Sequence, residues 1–134
     1  VSLTAIRDGI ATNLGTISGL RTAAEIPDNP SPPIAIVQLR GIQYDQAFRK
    51  GLAVYTFTVS VIVGRVQERE AQRRLNAYSD NSGASSIKSA IESDKTLGGA
   101  AFDVRVESLD NIGSLQLNDA TYLGADFTVT AYAS

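Results

Sequence analysis

The carboxylates Asp103, Glu107, Asp110, Asp119 and Asp126 are spread over the C-terminal half of the 134-residue chain. A hard divalent cation needs only oxygen ligands, so convergence of these groups would make a calcium or magnesium site. Their spacing lacks the density of an EF-hand loop, and solvated strand edges and turns are their expected setting. Ser85-Ser86-Ile87-Lys88 brings hydroxyls near a lysine, but not in the order Ser-x-x-Lys, and helix capping accounts for both serines. Gly98-Gly99 is not followed by Lys-Ser/Thr, so it is a turn and not a phosphate-cradling loop. Histidine and cysteine are both absent. Their absence removes Ser-His-Asp and Cys-His catalysis, thiolate or imidazole metal sites, and disulfides. Carboxylates, Lys, Tyr and hydroxyls remain, and none of them falls in a catalytic pattern. The chain is read as a non-enzyme, with no catalytic residue, cofactor or metal assigned.

Two groups of residues suggest contact instead of chemistry. Arg40, Tyr44, Phe48, Arg49 and Lys50 interleave basic side chains with aromatics, a pattern that serves nucleic-acid binding or protein–protein contact. The acidic balance of the chain, net charge −2 and pI near 5.0, favours protein. Glu68, Arg69, Glu70, Arg73 and Arg74 mix both signs on one helix. They read either as a solvated face with i,i+4 pairs such as Glu70–Arg74, or as a subunit interface. The interface candidates are therefore Arg40, Tyr44, Phe48, Arg49, Lys50, Glu68, Arg69 and Arg73.

The elements that carry these groups follow from hydrophobic periodicity. Leu3, Ile6, Ile10, Leu14 and Ile17 recur at steps of three and four, predicting an amphipathic helix over 3–18, capped by Ser2 or Thr4 and ended by Gly15 or Gly19. A short extended segment, Thr22–Ile26, leads into a stiff loop holding Pro27, Pro30, Pro32 and Pro33. Ile34–Leu39 is a β-branched strand, and Leu52–Val63 is the clearest strand of the chain. Tyr55, Phe57, Val59, Val61 and Val63 share one of its faces, and Thr56, Thr58 and Ser60 share the other. Together these strands predict a long hairpin whose tip, near residues 40–51, projects from the body. A helix follows over 66–80, then a short one in which Ile87, Ala90 and Ile91 face inward. The last third reads as a meander: Phe102, Val104 and Val106 in one strand, a turn at Asn111-Ile112-Gly113, a short strand Ser114–Leu117, a tight turn at Asn118-Asp119, and a long strand Tyr122–Ala133. Phe57, Val59, Phe127 and Val129 should pack beneath the N-terminal helix.

The expected fold is a single α+β domain over residues 1–134. An antiparallel or mixed sheet carries the N-terminal helix and two shorter helices on one face, in the order α-β-β-α-α-β-β-β with one possible extra edge strand. Apolar residues make up 43% and charged residues 19% of the chain, enough for a core without cross-links. No apolar run approaches the roughly 18–20 residues of a membrane span, so no membrane partner is expected. Val1-Ser-Leu-Thr-Ala5 lacks the charge and apolar stretch of a signal peptide, and the absence of Met suggests a removed or omitted initiator. Synthesis and assembly in a cytoplasm are the expectation.

The succession of segments resembles the tail terminator (tail completion) proteins of long-tailed, non-contractile phages, particularly those of actinobacteria. The resemblance is carried by Tyr44-Asp45, Phe48, Gly51-Leu52, Tyr55-Thr56-Phe57, Ala71-Gln72, Leu75 and the run Gly83 to Lys88, and it spans nearly the whole chain. It implies a homo-oligomeric ring, a hexamer, that caps the head-proximal end of the tail tube, stops its polymerisation and meets the head–tail connector or stopper protein. Its partners would be itself, the tail tube protein and that connector, within the virion neck. Genome DNA would pass through the lumen without specific binding. The alternatives are another neck or head-completion protein, or a monomeric adaptor or ligand-binding domain.

The charge balance predicts no useful affinity for duplex DNA. At about 150 mM salt, a filter-binding or anisotropy titration should show binding weaker than micromolar. A sub-micromolar constant would instead make Arg49 and Lys50 a nucleic-acid contact.

Overall fold

A computed structural model describes residues 3–17, 19–23, 33–44, 52–65, 69–80, 83, 85–117 and 120–133. The elements are α1 (Leu3–Leu14), β1 (Arg21–Ala23), β2 (Ile34–Gln43), β3 (Ala53–Arg65), α2 (Arg69–Ser79), α3 (Ile87–Ile91), a single 3-10 turn at Leu97–Gly99, β4 (Asp103–Leu117) and β5 (Ala120–Ala133). The five strands form one mixed sheet in the order β1-β2-β3-β5-β4, parallel only between β1 and β2. The class is α+β, as expected, but the order is α-β-β-β-α-α-β-β. The short extended segment near residue 22 is a true strand on the sheet edge. The C-terminal meander is a single pair of long strands.

That second difference has a local cause. Asn111-Ile112-Gly113 does not reverse the chain; it inserts a bulge. The register passes from Asp110↔Asp126 directly to Gly113↔Gly124, so three steps on β4 match two on β5. Asn111 takes up the bulge at φ 56°, a left-handed conformation that Asn tolerates better than most residues. Phe102 also departs from expectation, with 61% exposure. It precedes β4, where the Ala101 N–H still closes the turn onto Thr96 O and the Phe102 N–H donates to Tyr132 O at 2.7 Å. Inward alternation therefore starts at Val104, and the small Ala101 fills the space before it.

Residues 45–51, which link β2 to β3, lie outside the described residues, as do 66–68, 118 and 119. β2 and β3 pair antiparallel from Ile34↔Ile62 to Gln43↔Val54.

Alternation on β3 and β5 builds the core. Tyr55, Phe57, Val59, Val61 and Val63 meet Leu123, Ala125, Phe127, Val129 and Ala131 in one buried cluster with Ile6, Ile10 and Leu14 of α1, Leu75 of α2 and Ile87 and Ile91 of α3. The other face shows Thr56, Thr58, Ser60 and Thr128. Its small apolar cluster of Ile34, Ile36, Ile62 and Tyr122 contains no helix residue. All three helices thus share one side of the sheet.

One close approach fixes α1 over the 3-10 turn. A Cβ at Gly9 would come within 2.7 Å of the Leu97 Cβ, so the absent side chain is the slot that Leu97 fills. Leu97 itself sits at φ 52°, a conformation disfavoured by roughly 1–2 kcal/mol for a residue with a Cβ. Its burial to 5% exposure offsets that strain.

Phe57 is fully buried at the centre of the cluster. Phe57→Ala should destabilise the fold by about 3–5 kcal/mol in urea melts. A loss under about 1 kcal/mol would show that the site can collapse around the cavity.

Candidate interaction surface

The described candidate contact residues fall in two places, on β2 and just beyond it, and on α2 in the helix layer. Arg40 is exposed on β2 and is the extra residue of a bulge, because the register moves from Leu39↔Phe57 to Gly41↔Thr56. Tyr44 follows β2 and is 68% exposed. Arg69 and Arg73 are exposed on α2. Arg73 borders a cleft of about 430 Å³, formed with Gly19, Pro33, Arg74 and Tyr78 beside the start of β2. Six residue steps along β2, about 20 Å at about 3.3 Å per residue, separate Arg40 from the strand's start beside that cleft. Phe48, Arg49, Lys50 and Glu68 lie outside the described residues.

The charges on α2 are used differently from the expected i,i+4 pairing. Glu70 faces Arg73 at 4.0 Å, both largely in solvent, where an ion pair contributes little. Arg74 instead donates from Nη1 to the Val63 carbonyl at 2.9 Å and ties α2 to the end of β3. Burial pushes the neighbouring Tyr78 phenol above its ordinary value, against the opposing pull of the Arg74 charge.

The carboxylates do not converge. Asp103 lies 3.6 Å from Lys95. Glu107 is exposed at the first bulge of β4. Asp110 and Asp126 stand opposite one another on β4 and β5. Asp126 accepts from Ser60 Oγ at 2.8 Å and Asn111 Nδ2 at 3.0 Å, and Asp110 accepts from Ser108 Oγ at 2.9 Å. Asp126 also borders a cavity of about 310 Å³ floored by Ile36, Ile62 and Gly124. Asp119 is outside the described residues, and among those described no three His, Cys, Asp or Glu are grouped to hold a metal.

Ser86 caps α3: its Oγ accepts from the Ser89 N–H at 3.1 Å and donates to the Asp80 carbonyl. Lys88 is occupied by the Glu92 carboxylate at 2.7 Å. Glu92 Oε2 in turn accepts the Val106 N–H at 2.9 Å, an amide on the side of β4 that faces away from β5. Since β4 is the sheet's long edge strand, α3 thereby covers part of an edge that would otherwise offer bare backbone groups. Sequence reasoning missed this role, although the i,i+4 spacing of Lys88 and Glu92 marks them as a pair. It also missed Asn13, 6% exposed, whose Nδ2 donates to the Ile91 carbonyl at 2.8 Å and the Asp94 carbonyl at 3.1 Å. The signal was a polar residue on the α1 apolar stripe, between Ile10 and Ile17.

Among the described residues, large apolar exposure concentrates at three points: Tyr44, Phe102 and Ile112. The register places the first two at the same end of the sheet. Gln43, Val54, Tyr132 and Asp103 form one row across β2, β3, β5 and β4, and Tyr44 and Phe102 flank that row. Compared with models of known protein families and with curated proteins, the sequence matches none.

The Glu92 carboxylate is subject to opposing effects. Burial works to raise its pKa, but hydrogen bonds from Lys88 and the Val106 N–H and the charges of Lys88 and Lys95 together hold it below the ordinary 4.5. A carboxylate with a depressed folded-state pKa contributes stability that is present above the unfolded value and lost as pH falls through the folded one. Urea melts at pH 7 and pH 3 should therefore differ less for Glu92→Gln than for the wild type. At pH 7 the variant should be less stable by about 1–3 kcal/mol, the range for hydrogen bonds to a charged group. Equal pH dependence in both proteins would remove Glu92 from this role.

Proposed function

We propose that this chain is a structural virion protein, a tail terminator of a long-tailed, non-contractile phage, acting through its surfaces and not through an active site. It forms a ring, a hexamer, at the head-proximal end of the tail tube. One face of the ring binds the last tube subunits and the other receives the head–tail connector. The mechanism is geometric: tube subunits present a repeated end surface, and the terminator binds that surface without offering another like it. DNA passes through the lumen, where an acidic wall does not retain a polyanion.

The observation that carries this reading is the position of Tyr44. It lies within the stretch Tyr44 to Phe57 that resembles tail terminators, and it is 68% exposed immediately beyond β2. Phe102, 61% exposed, accompanies it at the same end of the sheet. A chain acting alone gains nothing from wet aromatics, whereas such side chains are frequent anchors at protein contacts. In this reading β2 and β3 are the stem of a projecting hairpin that carries residues 45–51 to a ring neighbour or a tail component.

A Tyr44→Ala, Phe48→Ala double variant should melt near the wild-type temperature yet fail to assemble or to cap tails. Each lost anchor is worth about 2 kcal/mol or more at a contact. Thermal melts and electron micrographs of tails from the same variant are the comparison. Tails of normal length would take the hairpin tip out of the contact, and an unfolded variant would place these aromatics in the core.

A further inference from the structure

Beside the start of β2, α2 forms one wall of a cleft of about 430 Å³. That size falls within the roughly 300–1,000 Å³ of small-ligand sites. Arg74 and Tyr78, four residues apart on one side of α2, both line it, with Arg73, Ser85 and Pro33 around them. Tyr78 is 4% exposed, yet its phenol has no hydrogen-bond partner among the described residues. Buried polar groups are normally paired, so a phenol that borders a cleft without a partner marks a place where a ligand atom can be held. Burial raises the pKa of that phenol, so it stays protonated at neutral pH and is able to donate. The Ser85 hydroxyl is likewise without a partner among the described residues. Arg74 supplies charge. Its Nη1 donates to the Val63 carbonyl, which anchors the guanidinium without neutralising it. No carboxylate pairs with Arg74 among the described residues, and its other N–H groups remain for a ligand. Arg73 meets Glu70 only at 4.0 Å and in solvent, and both border the same cleft. Two arginines against one glutamate leave this lining with a net positive charge.

We propose that this cleft binds a carboxylate, held between the Arg74 guanidinium and the Tyr78 hydroxyl, with Ser85 as a further donor. The inference goes beyond the ring reading and does not rest on it. A guanidinium fork matches the two oxygens of a carboxylate, and such charge-assisted bonds are roughly twice as strong as neutral ones. The net charge of the lining suits a singly charged group better than a phosphate dianion, whose second charge Glu70 would repel. Pro33 and the Tyr78 ring offer apolar surface to the carbon chain that carries the carboxylate. A free organic acid and an acidic side chain of a peptide present this same group.

Nuclear magnetic resonance titrations of the full-length chain, at pH 7 and constant ionic strength, test the proposal. The probes are butyrate, a capped peptide with a single glutamate, and inorganic phosphate. At least one of the two carboxylates should give saturable shifts at Arg74, Tyr78 and Ser85, and phosphate should bind more weakly. Shifts with the peptide admit an acidic side chain as the source, whereas shifts with butyrate alone assign a free acid; both outcomes support the site. Tyr78→Phe removes only the hydroxyl, so it should weaken binding about tenfold and leave the melting temperature near that of the wild type. Arg74→Gln should abolish saturation. Arg74 also ties α2 to β3, so Tyr78→Phe decides the matter if Arg74→Gln does not fold. No saturable shift with either carboxylate, phosphate binding as tight as theirs, or wild-type affinity in Tyr78→Phe would each overturn the proposal.

Discussion

The fold depends on a constraint set by two strands. β3 and β5 lie side by side, and on both the apolar residues fall on alternate positions that face the same way. Because side chains alternate strictly along a strand, this pairing makes one face of the sheet apolar and leaves hydroxyls on the other. Burying that face calls for helices on one side only, and α1, α2 and α3 supply them. The surfaces left to a partner follow: a polar sheet face, two flanks, the sheet ends and the outer side of the helices.

A second level of organisation is polar. The amide of Asn13 answers two carbonyls at the end of α3, and the slot at Gly9 receives Leu97. Together they lock α1 to the segment that feeds β4. Glu92 then joins α3 to the edge of β4. The position of that edge strand thus depends on a few hydrogen bonds and one missing side chain. A buried amide with both donors used is costly to disturb, since truncation leaves carbonyls without partners.

Much of this was legible in the sequence, and the gaps have physical reasons. The alternation on β3 and β5 and the three-and-four spacing of α1 are patterns that only one secondary structure satisfies. The packing of Phe57, Val59, Phe127 and Val129 followed from them. Strand number was misjudged at Asn111-Ile112-Gly113, because a residue that tolerates the left-handed region serves a bulge as well as a turn. Alternation groups Phe102 with Val104 and Val106 in one strand, because it cannot show where a strand begins. Of the contact residues, Arg40 was singled out by type, but its prominence comes from a bulge that no local pattern announces. Pairing across the sheet is long-range information, and a linear reading does not contain it.

In the proposed ring, the link from Glu92 to Val106 has a consequence for the time before subunits meet. An open edge strand on a lone chain would accept almost any other strand, in any number and alignment. With the Val106 amide already engaged from within its own chain, backbone pairing is interrupted along that part of the edge. Admission then falls to side chains, which distinguish one neighbour from another and let go of the wrong one. A mistaken encounter stays reversible, and the stock of free subunits is preserved for the structure that can use it.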